Sequence, residues 1–168
     1  MPPDPSPTQD STLPTFYSGW QNYQSLLTTA IAPLTADQLA LKAAPHLRSV
    51  HDIATHIIGA RSRWLRDLDE DPSFLTFTFF APWDRPGSPT RSAAELVAAL
   101  NSTWQVFHAA LLRWTPADFA QTYPGEPPDE PETISRAWII WHLIEHDLHH
   151  GGEISLTLGL HNLPAPGL

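Results

Sequence analysis

Hydrophobic positions recur at three-and-four spacing in four long stretches, and prolines separate them. The first stretch, about Leu13 to Ala32, carries Phe16, Tyr17, Trp20, Tyr23, Leu27, Ala30 and Ile31 as one apolar stripe, the mark of an amphipathic helix. The second, Ser49 to Leu68, places Ile53, Ile57, Ala60, Trp64 and Leu68 on one face, and Ser49 with Asp52 gives it a capped start. The third begins at Ser92, where Glu95 completes a capping box, and runs to about Trp114 through Leu96, Leu100, Trp104, Phe107 and Leu111. The fourth spans about Thr133 to Leu160, with Asn162 and Pro164 beyond it.

Two short motifs resemble each other: Leu34-Thr-Ala-Asp-Gln-Leu39 and Trp114-Thr-Pro-Ala-Asp-Phe119. Each follows a long helix and has the form of a capped helical turn. The prediction is therefore an all-α fold: a four-helix bundle with a long crossover between its second and third helices. That crossover, 72–91, holds four prolines and the aromatics Phe74, Phe77, Phe79, Phe80 and Trp83. Connections this long are uncommon between helices, and its aromatics are expected to be pinned to the surface of the bundle or to another subunit. Residues 1–11 read as a disordered tail, 12–162 as one domain and 163–168 as a C-terminal tail.

The 18 prolines sit mainly at the ends and in the connections, so they punctuate the helices more than they interrupt them. Charge narrows the function. A net charge of −9, with nine Lys+Arg against 18 Asp+Glu, argues against a nucleic-acid partner. No basic amphipathic stretch or long apolar run suggests a membrane, and the first residues lack the features of a signal peptide. The chain has no cysteine, which removes disulfides, protein thiolates and cysteine-ligated metals. A cytoplasmic protein acting on a small molecule is expected.

The chemistry concentrates in the fourth helix, where 139–153 contain four of the nine histidines. His142, His146 and His150 fall at steps of four and so share a face. Apolar residues flank them on both sides: Ile140, Leu143, Ile154 and Leu158 on one, Trp138 and Leu156 on the other. Such a stripe is expected to face inward, where several imidazoles need partners: one another, carboxylates, water or a metal. Two histidines four apart on a helix are a familiar metal grip, and His56 of the second helix is a candidate third ligand. Asp52, one turn earlier, is either its orienting carboxylate or only a cap. Glu153, on the same face, is a candidate hydrogen-bond partner of a ligand or a proton carrier. His142 and Arg63 are further candidates, the latter for a substrate carboxylate. His149, about 60° off the stripe, is expected to be outer or exposed, and Glu145 and Asp147, about 100° to either side, to be surface or interface charges. Trp141, Ile144 and Leu148 form a second apolar face, which neighbouring helices or a homodimer would cover.

These residues resemble a known family. Trp141-His-Leu-Ile-Glu-His-Asp-Leu-His-His-Gly-Gly-Glu-Ile154 is similar to the last-helix signature of the DinB/YfiT-like superfamily. Ser49-Val-His-Asp-Ile-Ala-Thr-His56 and the Leu34–Leu39 motif match its earlier segments. The resemblance implies an up-down-down-up bundle, often dimeric, with a three-histidine metal site, here His56, His146 and His150. It implies a divalent metal, with zinc favoured over nickel or iron. It also implies isomerisation or S-transfer with a low-molecular-weight thiol, while a metal on three histidines could equally activate water for hydrolysis; the alternatives are a bundle that binds a metal or ligand without turnover, or a structural dimer with a degenerate site. Gly151-Gly152 departs from the signature, which commonly has a basic residue before a single glycine.

Overall fold

The computed structural model describes residues 13–125 and 131–166, so the expected tail at 1–11 lies outside the described residues, as does the side chain of Phe16. Four long helices carry the fold: α1 (Leu13–Ile31), α3 (Val50–Leu65), α5 (Ala93–Arg113) and α7 (Arg136–Leu160). Between them lie the turns α2 (Ala36–Leu39) and α6 (Pro116–Phe119), and α4 (Leu75–Phe80) within the crossover. The capping boxes read from the sequence form at Thr35, Ser49, Ser92 and Thr115. Each satisfies backbone N–H groups that a helix start leaves without a partner.

Helix direction follows from which ends meet. His51, at the start of α3, accepts from the Arg91 backbone N–H just before α5, and Asp69, just past α3, accepts from Arg113 and Trp114 at the end of α5. So α3 and α5 run parallel, which requires the long crossover. Trp64 near the end of α3 meets His142, while His56 meets His146 and His150, so α3 and α7 are antiparallel. Trp20 and Tyr23 of α1 reach Asp147 and Leu148 of α7 in the same order, which completes an up-down-down-up bundle.

Three elements depart from the sequence reading. The last helix starts at Arg136, because Thr133–Ser135 pair antiparallel with Thr122–Pro124 as strands β2 and β1. The β-branched Thr133 and Ile134 suit that ladder, and Ser135 caps α7 through the Trp138 N–H. The second helix stops at Leu65, three residues short of Leu68. The crossover packs onto the bundle more deeply than its surface: Phe74, Phe77, Phe80 and Trp83 are buried in the core, and Phe79 alone of its predicted aromatics stays exposed. Phe74 and Phe77 join Trp20, Trp104, Phe107 and Trp114 in an aromatic cluster at one end of the bundle; Phe80 and Trp83 join an aliphatic cluster around Leu27, Ile57 and Leu100 at the other.

The glycine pair of α7 divides in two. A Cβ on Gly151 would stand 1.9 Å from the Tyr23 hydroxyl, so this glycine lets α1 approach α7 closely; one on Gly152 would meet nothing within 4 Å. Gly152→Ala should therefore stabilise the protein by about 0.5–1 kcal/mol through helix propensity. Gly151→Ala should destabilise it by about 1–3 kcal/mol through overpacking. Urea denaturation of the two variants measures the contrast, and equal shifts of one sign would contradict it.

Candidate functional site

Helices α3 and α7 bring His56, His146 and His150 together. One ligating nitrogen from each ring lies within 4.8 Å of the others. The Nε2 atoms of His56 and His146 are 3.2 Å apart, and the His150 ring centre is 4.7 Å from that of His56 and 4.4 Å from that of His146. A tetrahedral ion bonded to nitrogen at about 2.0–2.1 Å would hold two such atoms roughly 3.3 Å apart, so the observed spacing fits one.

Carboxylates stand behind two of the rings. Asp84 Oδ2 is 2.8 Å from His56 Nδ1, and Glu153 Oε2 is 2.6 Å from His150 Nδ1. A carboxylate at Nδ1 holds the proton there and leaves Nε2 free to ligate. His146 Nδ1 is buried and has no hydrogen-bond partner among the described residues, so packing and the Nε2 contact with His56 set that ring.

The structure decides between the two roles open to Asp52 and supplies a partner for His56 that the sequence does not point to. Asp52 caps the Ser49 N–H and contacts His51; the carboxylate on His56 is Asp84, from the crossover. Arg63 holds Asp84 with two bonds, Nη1 to Oδ1 at 2.6 Å and Nη2 to Oδ2 at 2.9 Å, and also donates to the Ala81 carbonyl. Arg63, a candidate for a substrate carboxylate, thus faces a carboxylate of the protein. A Cβ on Gly59 would stand 2.6 Å from Asp84 Oδ1, so Gly59 makes room for this arrangement. Burial works to raise the Asp84 carboxyl, but the hydrogen bonds from Arg63 and His56 outweigh it and hold the group ionised below the usual carboxylate range.

Asp147 is a correction to the sequence reading. It is fully buried and accepts from Arg61 Nε at 3.0 Å, from Arg61 Nη2 at 2.6 Å and from Trp20 Nε1 at 2.7 Å. Arg61 is itself 1% exposed. This pair ties α3 to α7 beside the histidines, since Asp147 directly follows His146. Glu145 is exposed, as expected.

The other candidates lie outside the three-histidine cluster. The His142 ring stacks on Trp138 at 5.3 Å and meets the edge of Trp64 at 5.1 Å, with its centre 6.0 Å from that of His146. His149 is exposed and 3.9 Å from Glu153. His46 and His161 are exposed, and His108 stacks on Trp104. Leu156, expected beside the stripe, is exposed, as are Trp141 and Leu148 of the second apolar face. Neighbouring helices leave that face open.

His56 and His146 are both disfavoured as cations. Burial lowers His56, and burial followed by the neighbouring His150 and His56 rings pushes His146 down to about 3. Unfolded, a histidine takes up its proton near 6.5. Between about pH 6.5 and 3 the unfolded state therefore binds more protons at this position, and stability falls as pH falls through that window. Metal-free protein should melt at a lower temperature at pH 5 than at pH 7.5, and His146→Gln should shrink the difference. A melting temperature that holds or rises on acidification to pH 5 would contradict this.

The sequence model of the DinB family matches residues 8–161. The crystal structure of a DinB-like protein from Bacillus cereus superposes with a TM-score of 0.69 at 22% identity, over 91% of this chain and 95% of that one, a likeness of fold. No curated protein matches the sequence. No helix among the described residues is long and apolar enough to cross a membrane.

Proposed function

The chain belongs to the DinB family, and from that premise we propose that it is a metal-dependent enzyme whose divalent ion is held by His56, His146 and His150. The observation that carries the proposal is the convergence of three imidazoles from two helices, two of them backed by carboxylates. Three protein ligands leave a tetrahedral ion an open position, the pattern of catalytic sites. Imidazole suits zinc, nickel and iron, and zinc is the first choice on availability. When bound, such an ion polarises a substrate oxygen or lowers the pKa of a coordinated water or thiol.

The residues around the site favour transfer of a low-molecular-weight thiol over hydrolysis. Asp84 is bound by Arg63 and His56, Asp147 by Arg61 and Trp20, and Glu153 by His150. The nearby carboxylates are thus engaged, which suits a nucleophile that needs no protein base. The chain has no cysteine, so the thiol must be a small molecule, as the reducing cytoplasm supplies. His56 and His150 retain 22% and 12% side-chain exposure, which gives a small substrate access. The exposed Trp141 and Leu148 favour a homodimer that covers this face of α7.

Metal analysis of untagged protein tests the site. About one equivalent of zinc, nickel or iron per chain is expected. Under about a tenth of an equivalent after reloading would leave a metal-free bundle as the reading. A screen of small thiols against electrophiles, beside an ester panel, tests the chemistry. Turnover that survives His146→Ala would place it elsewhere.

A further inference from the structure

A pocket of about 350 Å³ opens beside His56, between the start of α3 and the end of the crossover. His56 and Asp84 form one wall, and Arg48, His51, Arg85 and Ser88 complete its polar rim. His146 and His150 do not line it, so it flanks the three-histidine cluster on the side of His56 that carries Asp84.

Its charge is unusual for this chain. Acidic residues outnumber basic ones by 18 to nine, and most of the arginines are engaged. Arg61, Arg63, Arg66, Arg91 and Arg113 each pair with a carboxylate. Arg136 is buried among carbonyl and hydroxyl acceptors. Among the described residues, Arg48 and Arg85 have neither a salt bridge nor a side-chain hydrogen bond, and both line this pocket. The acids beside them are otherwise occupied: Arg63 neutralises Asp84, and Asp52 caps Ser49. Two solvent-exposed guanidiniums without a protein counter-charge in contact thus line one pocket. Asp52, a half-exposed carboxylate, also lines the pocket but makes no ion pair with either. A planar, permanently charged fork is the group that takes carboxylate or phosphate through paired hydrogen bonds.

We propose that this pocket binds the carboxylate or phosphate group of a small molecule, held by Arg48 and Arg85 at the flank of His56. His56 is common to the pocket and the histidine cluster, so an anion bound here sits on the Asp84 side of one of the three histidines.

The test titrates inorganic phosphate and, separately, succinate into metal-free and zinc-loaded full-length protein, followed by calorimetry and by amide shifts of residues 48–56 and 82–88. At least one of the two should bind saturably to both forms at low ionic strength and weaken as salt is raised. Phosphate alone, or succinate alone, assigns the head group. Arg48→Gln and Arg85→Gln should each weaken binding, and the double variant should do so by about tenfold or more. Arg66→Gln, paired elsewhere on the surface, should not. Absence of saturable binding by either probe, or a double variant that binds like wild type, overturns the pocket. Binding that needs zinc and survives in the double variant puts the anion on the metal and overturns it as well. Zinc content of the double variant, measured alongside, should equal that of wild type. Failure of the anion pocket and failure of the metal centre therefore register separately.

Discussion

Asp147→Asn should lower the stability of the protein by about 3–5 kcal/mol, the largest loss expected of any single polar replacement here. The reason is the charge left behind. Arg61 is 1% exposed, and its Nε and Nη2 both donate to the Asp147 carboxylate. An amide keeps the shape but removes the counter-charge and offers one acceptor oxygen in place of two. A domain of ordinary stability, about 5–15 kcal/mol, would lose a large share of it. Removing both partners should behave differently. Arg61→Met with Asp147→Leu takes away two desolvated charges together and should recover most of the loss. Urea denaturation of the singles and the double gives the coupling directly. A loss below about 1 kcal/mol in Asp147→Asn would show that water or another group compensates Arg61.

The double replacement separates stability from function. Arg61 lies five residues after His56, and Asp147 directly follows His146, so the ion pair fixes the height of α3 against α7 at the level where the histidines converge. An apolar pair of similar volume can restore packing without restoring that registration. The double variant should fold well and bind metal less tightly than wild type.

Why Asp147 and Asp84 escape a reading of the sequence differs in each case. The histidine stripe, the capping boxes and the parallel placement implied by a long crossover are periodic or local features, and the fold and the three-histidine cluster follow from them. Asp147 failed on an angle. It stands about 100° from His146, which suggests an outer face, but α7 is covered over more than one side. Leu143, Asp147, Gly151, Ile154 and Leu158 are all buried and follow helical spacing, so Asp147 was in phase with the core. The same signal was present in α3, where Ile53, Ile57, Arg61 and Leu65 fall at steps of four and are all buried. An arginine in phase with isoleucines, together with an aspartate in phase with leucines, calls for a buried pair. Asp84 offered no such signal. It lies in an irregular loop, where no period fixes the direction of a side chain, and its contact with His56 spans 28 positions. The buried aromatics of the crossover draw the loop inward, and the Arg63 fork then fixes Asp84 at the site.

Removing a ligand from the histidine cluster should have the largest effect on metal binding, and the surrounding residues should follow in a definite order. Structural zinc sites with four ligands are worth about 10–16 kcal/mol, or about 2.5–4 kcal/mol per ligand. That is roughly a hundred- to thousandfold in affinity for His56→Ala, His146→Ala or His150→Ala. Asp84→Asn should cost about 10–100-fold, as is usual for a carboxylate that orients a ligand imidazole. Arg63→Gln acts through Asp84 and should cost less. Glu153→Gln should cost less than Asp84→Asn, because Glu153 is 43% exposed against 9% for Asp84 and water can replace it at His150. His142→Ala, whose ring packs between tryptophans outside the cluster, should leave affinity within about threefold of wild type. Competition with a chromogenic chelator at pH 7.5 measures the series. The rise in melting temperature on adding zinc gives a second reading, because a ligand stabilises the folded state in proportion to RT ln(1 + [L]/Kd). The order carries more than any single value. A His150→Ala protein that binds like wild type would remove His150 from the ligand set. A His142→Ala loss as large as that of His146→Ala would move the ion one turn along α7. An Asp84→Asn protein equal to wild type would leave the crossover a role in packing alone, with His56 held by the helix that carries it.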